Sequence, residues 1–555
     1  MSTGPSLRAT RALLAAATLA CSSTAFGHSA MFPDGFKYDN RNEGPSAAEL
    51  KLQSTTNAPP GVCSGGSAEG YPCSKIDLRA FMPKAALGGG TQNLNDIWGW
   101  TDPLTGMEVA IVGRTHGTAF VDISSPTAPV LLGFLPSHNG GSDAWRDIKV
   151  YADHAFIVAD GSGNASHGLQ VFDLRSLRGL PPGGTLSETA HLGTFGPAHN
   201  IAINEDSGYA YVVGSNRCSG GLYMVDISSP QAPAYAGCFS ADGYTHDTQC
   251  VIYAGPDAAY AGREVCVAYN EDTVTVVDVT SKANPQMLSR TPYAGARYTH
   301  QGWFLDGQHR TIIVNDELDE SSNGHNTRSY IFDLSDLDRP VEIGRYTGPT
   351  PAIDHNLYTR DGYVFETNYR AGLRILDAQQ IASGTLTEVA WFDTVPGSDA
   401  PQFSGTWSSY VWFPSGNVVL SDIGGGLFVV APDWDAIGGG GGSSFENNTP
   451  VAIPDRSQAG ASSSIVVDRA GAAGTVQVAV DITHPAIGQL IVDLISPTGT
   501  VSNLHRLSGG RADDLVQTYA VDTGTSAAAG TWQLRVRDLR RGQTGTLNHW
   551  RITFP

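Results

Sequence analysis

Short runs of apolar residues, most opened by glycine and closed by aspartate, return along this 555-residue chain at a nearly fixed interval. They read GTAFVDIS (Gly117–Ser124), GLQVFDLR (Gly168–Arg175), GLYMVDIS (Gly221–Ser228), TVTVVDVT (Thr273–Thr280), RSYIFDLS (Arg328–Ser335), GLRILDAQ (Gly372–Gln379) and GLFVVAP (Gly426–Pro432). The aspartates at 122, 173, 226, 278, 333 and 377 stand 51, 53, 52, 55 and 44 residues apart, and Ala431 takes the aspartate's place 54 residues further on. Runs this short, rich in Val, Ile and Phe, predict strands buried on both faces. A period of about 40–55 residues with several strands per unit predicts a β-propeller, because one blade cannot bury both faces alone. A carboxylate fixed in phase after each strand predicts a hydrogen bond into the following turn. Its loss at Ala431 fits a structural role that one blade can lose.

The pattern changes after the seventh copy. Gly438 to Gly442 and two serines form a flexible linker by composition. Beyond it Val476, Val478, Val480 and Ile482 alternate with more polar residues, as do Leu534 and Val536. That period of two, punctuated by SPTGT and RRGQTGT turns, predicts a β-sandwich. At the other end Arg8 and Arg11 precede the apolar run Ala12–Ala20, and Ala25-Phe26-Gly27 offers a cleavage point before His28. This is a secretory signal pattern. Lipidation at Cys21 is the alternative, but Thr18 stands where that pattern wants an aliphatic residue. The expected order is a signal peptide at 1–27, a polar lead-in at 28–75, a seven-bladed propeller at 76–437, a Gly/Ser linker at 438–444 and a sandwich at 445–555. The fold class is all-β.

A formal charge of −20 argues against nucleic acid as partner. No transmembrane segment is expected, since no other stretch approaches the ~18 apolar residues needed to span a bilayer. Without Cys21 six cysteines remain, an even number that suits an exported chain. The repeat suggests local bridges: Cys63 with Cys73 across a Gly-rich turn, and Cys218 with Cys238 and Cys250 with Cys266 within blades. A cysteine metal site is the other reading, but no CxxC pair exists.

NDIWGWTDPLTGMEVAIVGRTHGTAFVDISSP, AHNIAIN, THDTQC, THQGW, NDELDE, IDHNLY and NYRAGLRILD occur in that order and closely resemble the choice-of-anchor B family of exported LVIVD-repeat proteins. VDITHPAIGQLIVDLISPTGT and GTWQLRVRDLRRGQTGTLNHWRITF resemble the P (Homo B) domain that accompanies subtilisin-like proprotein convertases. Neither resemblance implies a reaction. The second allows calcium among Asp468, Asp481, Asp493 and Asp538.

The candidate chemistry lies in histidines that keep step with the blades. His199, His246, His300 and His355 follow their preceding repeat aspartates by 26, 20, 22 and 22 residues. Each is therefore expected where the chain re-enters towards the propeller axis, so that four consecutive blades present imidazoles around one mouth of the channel. Asn95-Asp96, Arg146-Asp147 and Trp407-Ser408 stand at the equivalent places elsewhere. The loop after each second strand opens on the same face. There Asn315-Asp316-Glu317-Leu318-Asp319-Glu320 brings four carboxylates, and Glu366 and Arg370 come from the next blade. Asp316 and Glu317 join the four histidines as candidate ligands, because imidazoles and carboxylates around a cavity suit a divalent transition metal. The alternative is that these groups close the ring by hydrogen-bonding neighbouring backbone, with the acidic run a solvated loop or a calcium ligand set.

His116-Gly117-Thr118, Asp522-Thr523-Gly524 and Gly524-Thr525-Ser526-Ala527 echo a subtilisin-type triad, but no α/β domain is present to carry one. No complete catalytic set is visible, and the leading reading is not an enzyme. It is an exported binding or display propeller for an unknown extracellular or surface ligand, secreted, periplasmic or held at the cell surface. The alternatives are a metal-dependent hydrolase using the histidine ring and an accessory of subtilisin-like extracellular proteolysis.

Overall fold

The computed structural model describes Met1 and residues 59–88, 90, 92–161, 166–434, 436–437, 444–467, 473–524 and 526–554. All of the described architecture lies in the compact unit Tyr38–Pro555. The expected signal peptide, with Cys21 and His28, most of the lead-in, nearly all of the linker, Asp468 and Thr525 lie outside the described residues.

Each repeat phrase becomes the third strand of a four-stranded antiparallel meander, and seven such sheets form a propeller. The innermost strands are Leu94–Thr101, Trp145–Tyr151, Asn200–Asn204, Asp247–Ile252, Thr299–Phe304, Asn356–Arg360 and Thr406–Tyr410. They touch in sequence around a complete ring, with Thr406–Tyr410 meeting Leu94–Thr101. We number the blades 1 to 7 from these strands. Third strands such as Gly117–Asp122 and Val274–Asp278 are buried along almost their whole length, because neighbouring blades cover both faces. Phe120 of blade 1 packs on Phe172 of blade 2 at 4.7 Å in this way.

All six repeat aspartates do what their phase predicts. Each accepts a hydrogen bond from the backbone N–H two residues on, over 2.7–3.0 Å. A bulge between the third and fourth strands recurs just before the aspartate in blades 1, 3, 4, 5 and 6. Glycine opens the phrase for a steric reason. Gly372 has φ +71°, and a Cβ there would collide with the Phe392 carbonyl of the outer strand.

The ring closes with chain from its far end. Ile76–Pro83 pairs antiparallel with Gly426–Pro432 and is the outer strand of blade 7. The first complete blade in sequence therefore begins at Leu94, not at Ile76. Phe81 packs on Phe428 at 4.6 Å inside this joint. Just before it, Tyr71–Ser74 adds to the outer strand of blade 6. Three disulfides join Cys63 to Cys73, Cys218 to Cys238 and Cys250 to Cys266. The third links directly opposed residues of the first two strands of blade 4.

The C-terminal part is a sandwich of two antiparallel sheets, one built on Thr475–Thr483 and Gly545–Thr553, the other on Leu490–Ile495 and Gly530–Asp538. Val476, Val478, Val480 and Ile482 face its core beside the fully buried Trp532 and Trp550. No described helix is long and apolar enough to cross a membrane.

Candidate functional site

The starts of the innermost strands in blades 3 to 6 bring four imidazoles into one arc: His199, His246 and His355 stand just before their strands and His300 is the second residue of its own. Ring centroids of His199 and His246 lie 4.4 Å apart, His246 and His300 4.0 Å, and His300 and His355 4.4 Å. Trp407 of blade 7 continues the arc 4.6 Å from His355. All four histidines are buried.

A repeated hydrogen bond orients three of the rings. His246 Nδ1 lies 2.8 Å from the His300 carbonyl, His300 Nδ1 3.1 Å from the His355 carbonyl and His355 Nδ1 2.6 Å from the Trp407 carbonyl. A carbonyl only accepts, so Nδ1 carries the proton and donates, which leaves the Nε2 lone pair for another partner. Burial holds His355 neutral, with its pKa down at about 3. His199 differs: its Nδ1 faces the Asp160 carboxylate at 3.3 Å.

Glu317, from the loop after the second strand of blade 5, reaches between two of these rings. Its Oε2 lies 3.7 Å from His300 Nε2 and its Oε1 3.7 Å from His355 Nε2. One ligand atom from each of the three residues falls within 4.8 Å of the others. A tetrahedral metal with bonds of about 2.0–2.1 Å wants neighbouring ligands about 3.3–3.4 Å apart, so the three groups would draw closer around an ion. Burial raises the Glu317 carboxyl to about 7, against the hydrogen bond from Tyr369. A cation at this point would favour the carboxylate form.

Tyr369, which the sequence reading passed over, touches both Glu317 and His355. Its hydroxyl donates to Glu317 Oε1 over 2.6 Å and its ring packs on His355 at 4.6 Å. It holds φ +38°, rare for a bulky side chain and typical of a backbone constrained at a site. The signal was available in NYRAG, where glycine follows closely and the chain must turn.

The other candidates separate. Among the four histidines, His300 and His355 converge with Glu317, whereas His199 and His246 extend the aromatic arc. Asp316 faces the blade interior, where it accepts from Tyr298 N and Arg297 N at 2.7 Å and from the Tyr293 hydroxyl at 2.8 Å. Burial, then repulsion from Asp319, raises it to about 7. Glu366 takes the Ser329 hydroxyl, and Arg370 bonds Gln402. His116 packs on Phe134 at 5.0 Å, and Asp522 accepts from Gly524 N at 2.9 Å, each serving local structure.

Deeper in the wall, the innermost strands hold a buried charge cluster. Lys149 Nζ lies 2.5 Å from Asp147 and 3.8 Å from Asp96, and 4.6 Å over the Trp98 ring. In the sandwich, Asp481 accepts from Asn548 at 2.9 Å. Asp493 is held by Arg535 and Arg537 at 3.1 and 2.6 Å, and Asp538 faces His484 at 3.3 Å. These three carboxylates do separate work.

Comparison with known proteins agrees with this architecture. Residues 195–240 match the LVIVD repeat, spanning blade 3 from before His199 to beyond Cys238, and residues 473–554 match the Proprotein convertase P-domain. Leupeptin-inactivating enzyme 1 of Streptomyces exfoliatus is 48% identical over 115 residues, 20% of this chain and 26% of that protein. The transglutaminase-activating metalloprotease of Streptomyces mobaraensis is 40% identical over 139 residues, 25% of this chain and 18% of that protein. The extracellular basic protease of Dichelobacter nodosus is 34% identical over 86 residues, 16% of this chain and 14% of that protein. The chain thus spans about a quarter or less of the length of these relatives.

Proposed function

We propose that this chain is an exported binding propeller that works in the setting of extracellular proteolysis and carries a divalent transition metal at one mouth of its channel. One observation carries the metal: two imidazoles and one carboxylate converge from adjacent blades, each offering a ligand atom within 4.8 Å of the others. Two histidines and a glutamate form a ligand set suited to Zn²⁺ or Fe²⁺, which leaves a fourth coordination position for an external ligand. In this reading His300, His355 and Glu317 hold the ion, Tyr369 positions Glu317, and the flanking rings of His246 and Trp407 shape the approach of the external ligand. Three disulfides and the signal pattern support export. The P-domain and the names of the relatives support the proteolytic setting.

Metal-assisted hydrolysis is the second reading, favoured by the same two-histidine, one-carboxylate set. The metal would supply Lewis acidity, while this chain's own residues bind, orient and exclude water. The test is elemental analysis of the mature protein purified without chelator, beside Glu317→Gln and His300→Ala/His355→Ala. Near-stoichiometric zinc or iron in the parent, lost in both variants while circular dichroism is unchanged, supports the site and justifies a hydrolase screen. Equal metal content in all three refutes it.

A further inference from the structure

A second group of side chains lies just beyond Glu317, on a short helix, Asp319–Asn323, and the turn that follows it. Asp319, Glu320 and His325 each offer a ligand atom within 4.8 Å of the others. His325 Nδ1 lies 2.8 Å from the Asn326 carbonyl, so it donates there and turns the Nε2 lone pair towards Asp319 Oδ2, 3.6 Å away. Glu320 accepts from Arg328 N with one oxygen, and Asp319 accepts from the Tyr330 hydroxyl with one. The remaining oxygens, Asp319 Oδ1 and Glu320 Oε2, are buried with no partner outside this pair of carboxyls, which hydrogen-bond each other, and His325 Nε2 is buried without a hydrogen-bond partner.

The independent observation comes from the next blade. Asp354 is fully buried and neither of its carboxylate oxygens has a hydrogen-bond partner. Its strongest charged neighbours are Glu320 and then Asp319. Thr327 holds this segment in place, donating from N to the Thr350 carbonyl at 3.0 Å and from its hydroxyl to the Ala352 carbonyl at 2.5 Å. Arg328 gives Asp319 some charge from nearby, while Arg345 is engaged by Glu342. A buried carboxylate with both oxygens unsatisfied costs several kcal/mol unless a cation or proton meets it.

We infer that Asp319, Glu320 and His325 hold a second divalent cation, with the unpartnered buried carboxylate of Asp354 as a further negative charge beside them. Two carboxylates favour a hard ion and one imidazole admits a borderline one, a combination that suits Mn²⁺. Glu317 and His355 turn to the histidine arc, and their near neighbours Asp319 and Asp354 turn to the acidic group. The inference does not rest on the first site.

The test titrates Mn²⁺ alone into chelator-stripped full-length protein by calorimetry, with Ca²⁺ and Zn²⁺ as competitors. His300→Ala/His355→Ala should retain one Mn²⁺ equivalent. Asp354→Asn/Glu320→Gln should bind that equivalent at least about 100-fold more weakly, since one ligand and one neighbouring buried charge are lost. His325→Gln, at the rim of the cluster, should fold where the double variant does not and weaken Mn²⁺ about tenfold. Electron paramagnetic resonance of the parent at one equivalent of Mn²⁺ gives a readout free of any variant, with nitrogen coupling from a single imidazole expected. Unchanged Mn²⁺ affinity in Asp354→Asn/Glu320→Gln or His325→Gln would overturn the site, as would a Mn²⁺ signal with two imidazoles.

Discussion

Replacing Lys149 with methionine should destabilise the propeller by about 3–5 kcal/mol, the usual cost of stranding a buried charge by removing its partner. Lys149 is 7% exposed and Asp147 1%, so solvent screens neither. Burial by itself lowers the lysine's pKa, but Asp147, Asp96 and Asp247 outweigh it and the net shift is upward. The same contact brings Asp147 below the ordinary carboxylate value against its own burial. With about 2.1 cal/mol/K per residue between Ile76 and Ile437, unfolding entropy is about 0.75 kcal/mol/K, so 4 kcal/mol lowers Tm by about 5 °C. The pH dependence has a definite sign. In the parent, Asp147 is a depressed carboxyl: its contribution is present above its unfolded value near 3.9 and is lost as pH falls through the folded one. In Lys149→Met the stranded carboxyls protonate more readily, so the stability difference should be smaller at pH 5 than at pH 8. Urea unfolding of both proteins at the two pH values measures this. A difference under about 1 kcal/mol at pH 8, or one that grows on acidification, would refute the account of Lys149 as the counter-charge of this cluster.

Arg178→Ala should remove an acid-sensitive increment of stability. The hydrogen bond and charge of Arg178 pull Asp102 down to about 2, so the parent's increment is present above about 4 and disappears towards about 2. Melting at pH 6 and pH 2.5 should separate parent and variant widely at the first pH and bring them much closer at the second. Cys250→Ala/Cys266→Ala opens a bridge of sequence separation 16 and should cost about 3 kcal/mol, read as a lower urea midpoint. Trp532→Ala removes a fully buried indole that donates to the Ala528 carbonyl at 2.8 Å, and should cost about 3–5 kcal/mol. Scanning calorimetry should place that loss in the transition of the sandwich.

The sequence by itself determined the blades, the alternating sandwich strands and the three local disulfides. These follow from short-range regularities: a buried strand every 44–55 residues, a period of two in the tail, and cysteines already close along the chain. The turn role of the six aspartates was equally legible, because donor and acceptor are two residues apart. The closing strand was not. Ile76–Pro83 looks like a first strand in sequence, yet ring closure joins it to Gly426–Pro432 and only the folded circle decides that pairing. The histidine register predicted one mouth, and tertiary structure then chose His300 and His355 from the four, because Glu317 alone of its acidic run turns between those two rings. Asp316, one residue earlier, ends the strand and turns into the blade, where Tyr298 N, Arg297 N and the Tyr293 hydroxyl hold it. Asp354 and His325 carried no period at all. Their meeting with Asp319 and Glu320 depends on how closely blades 5 and 6 pack, a distance set by the side chains that fill the ring.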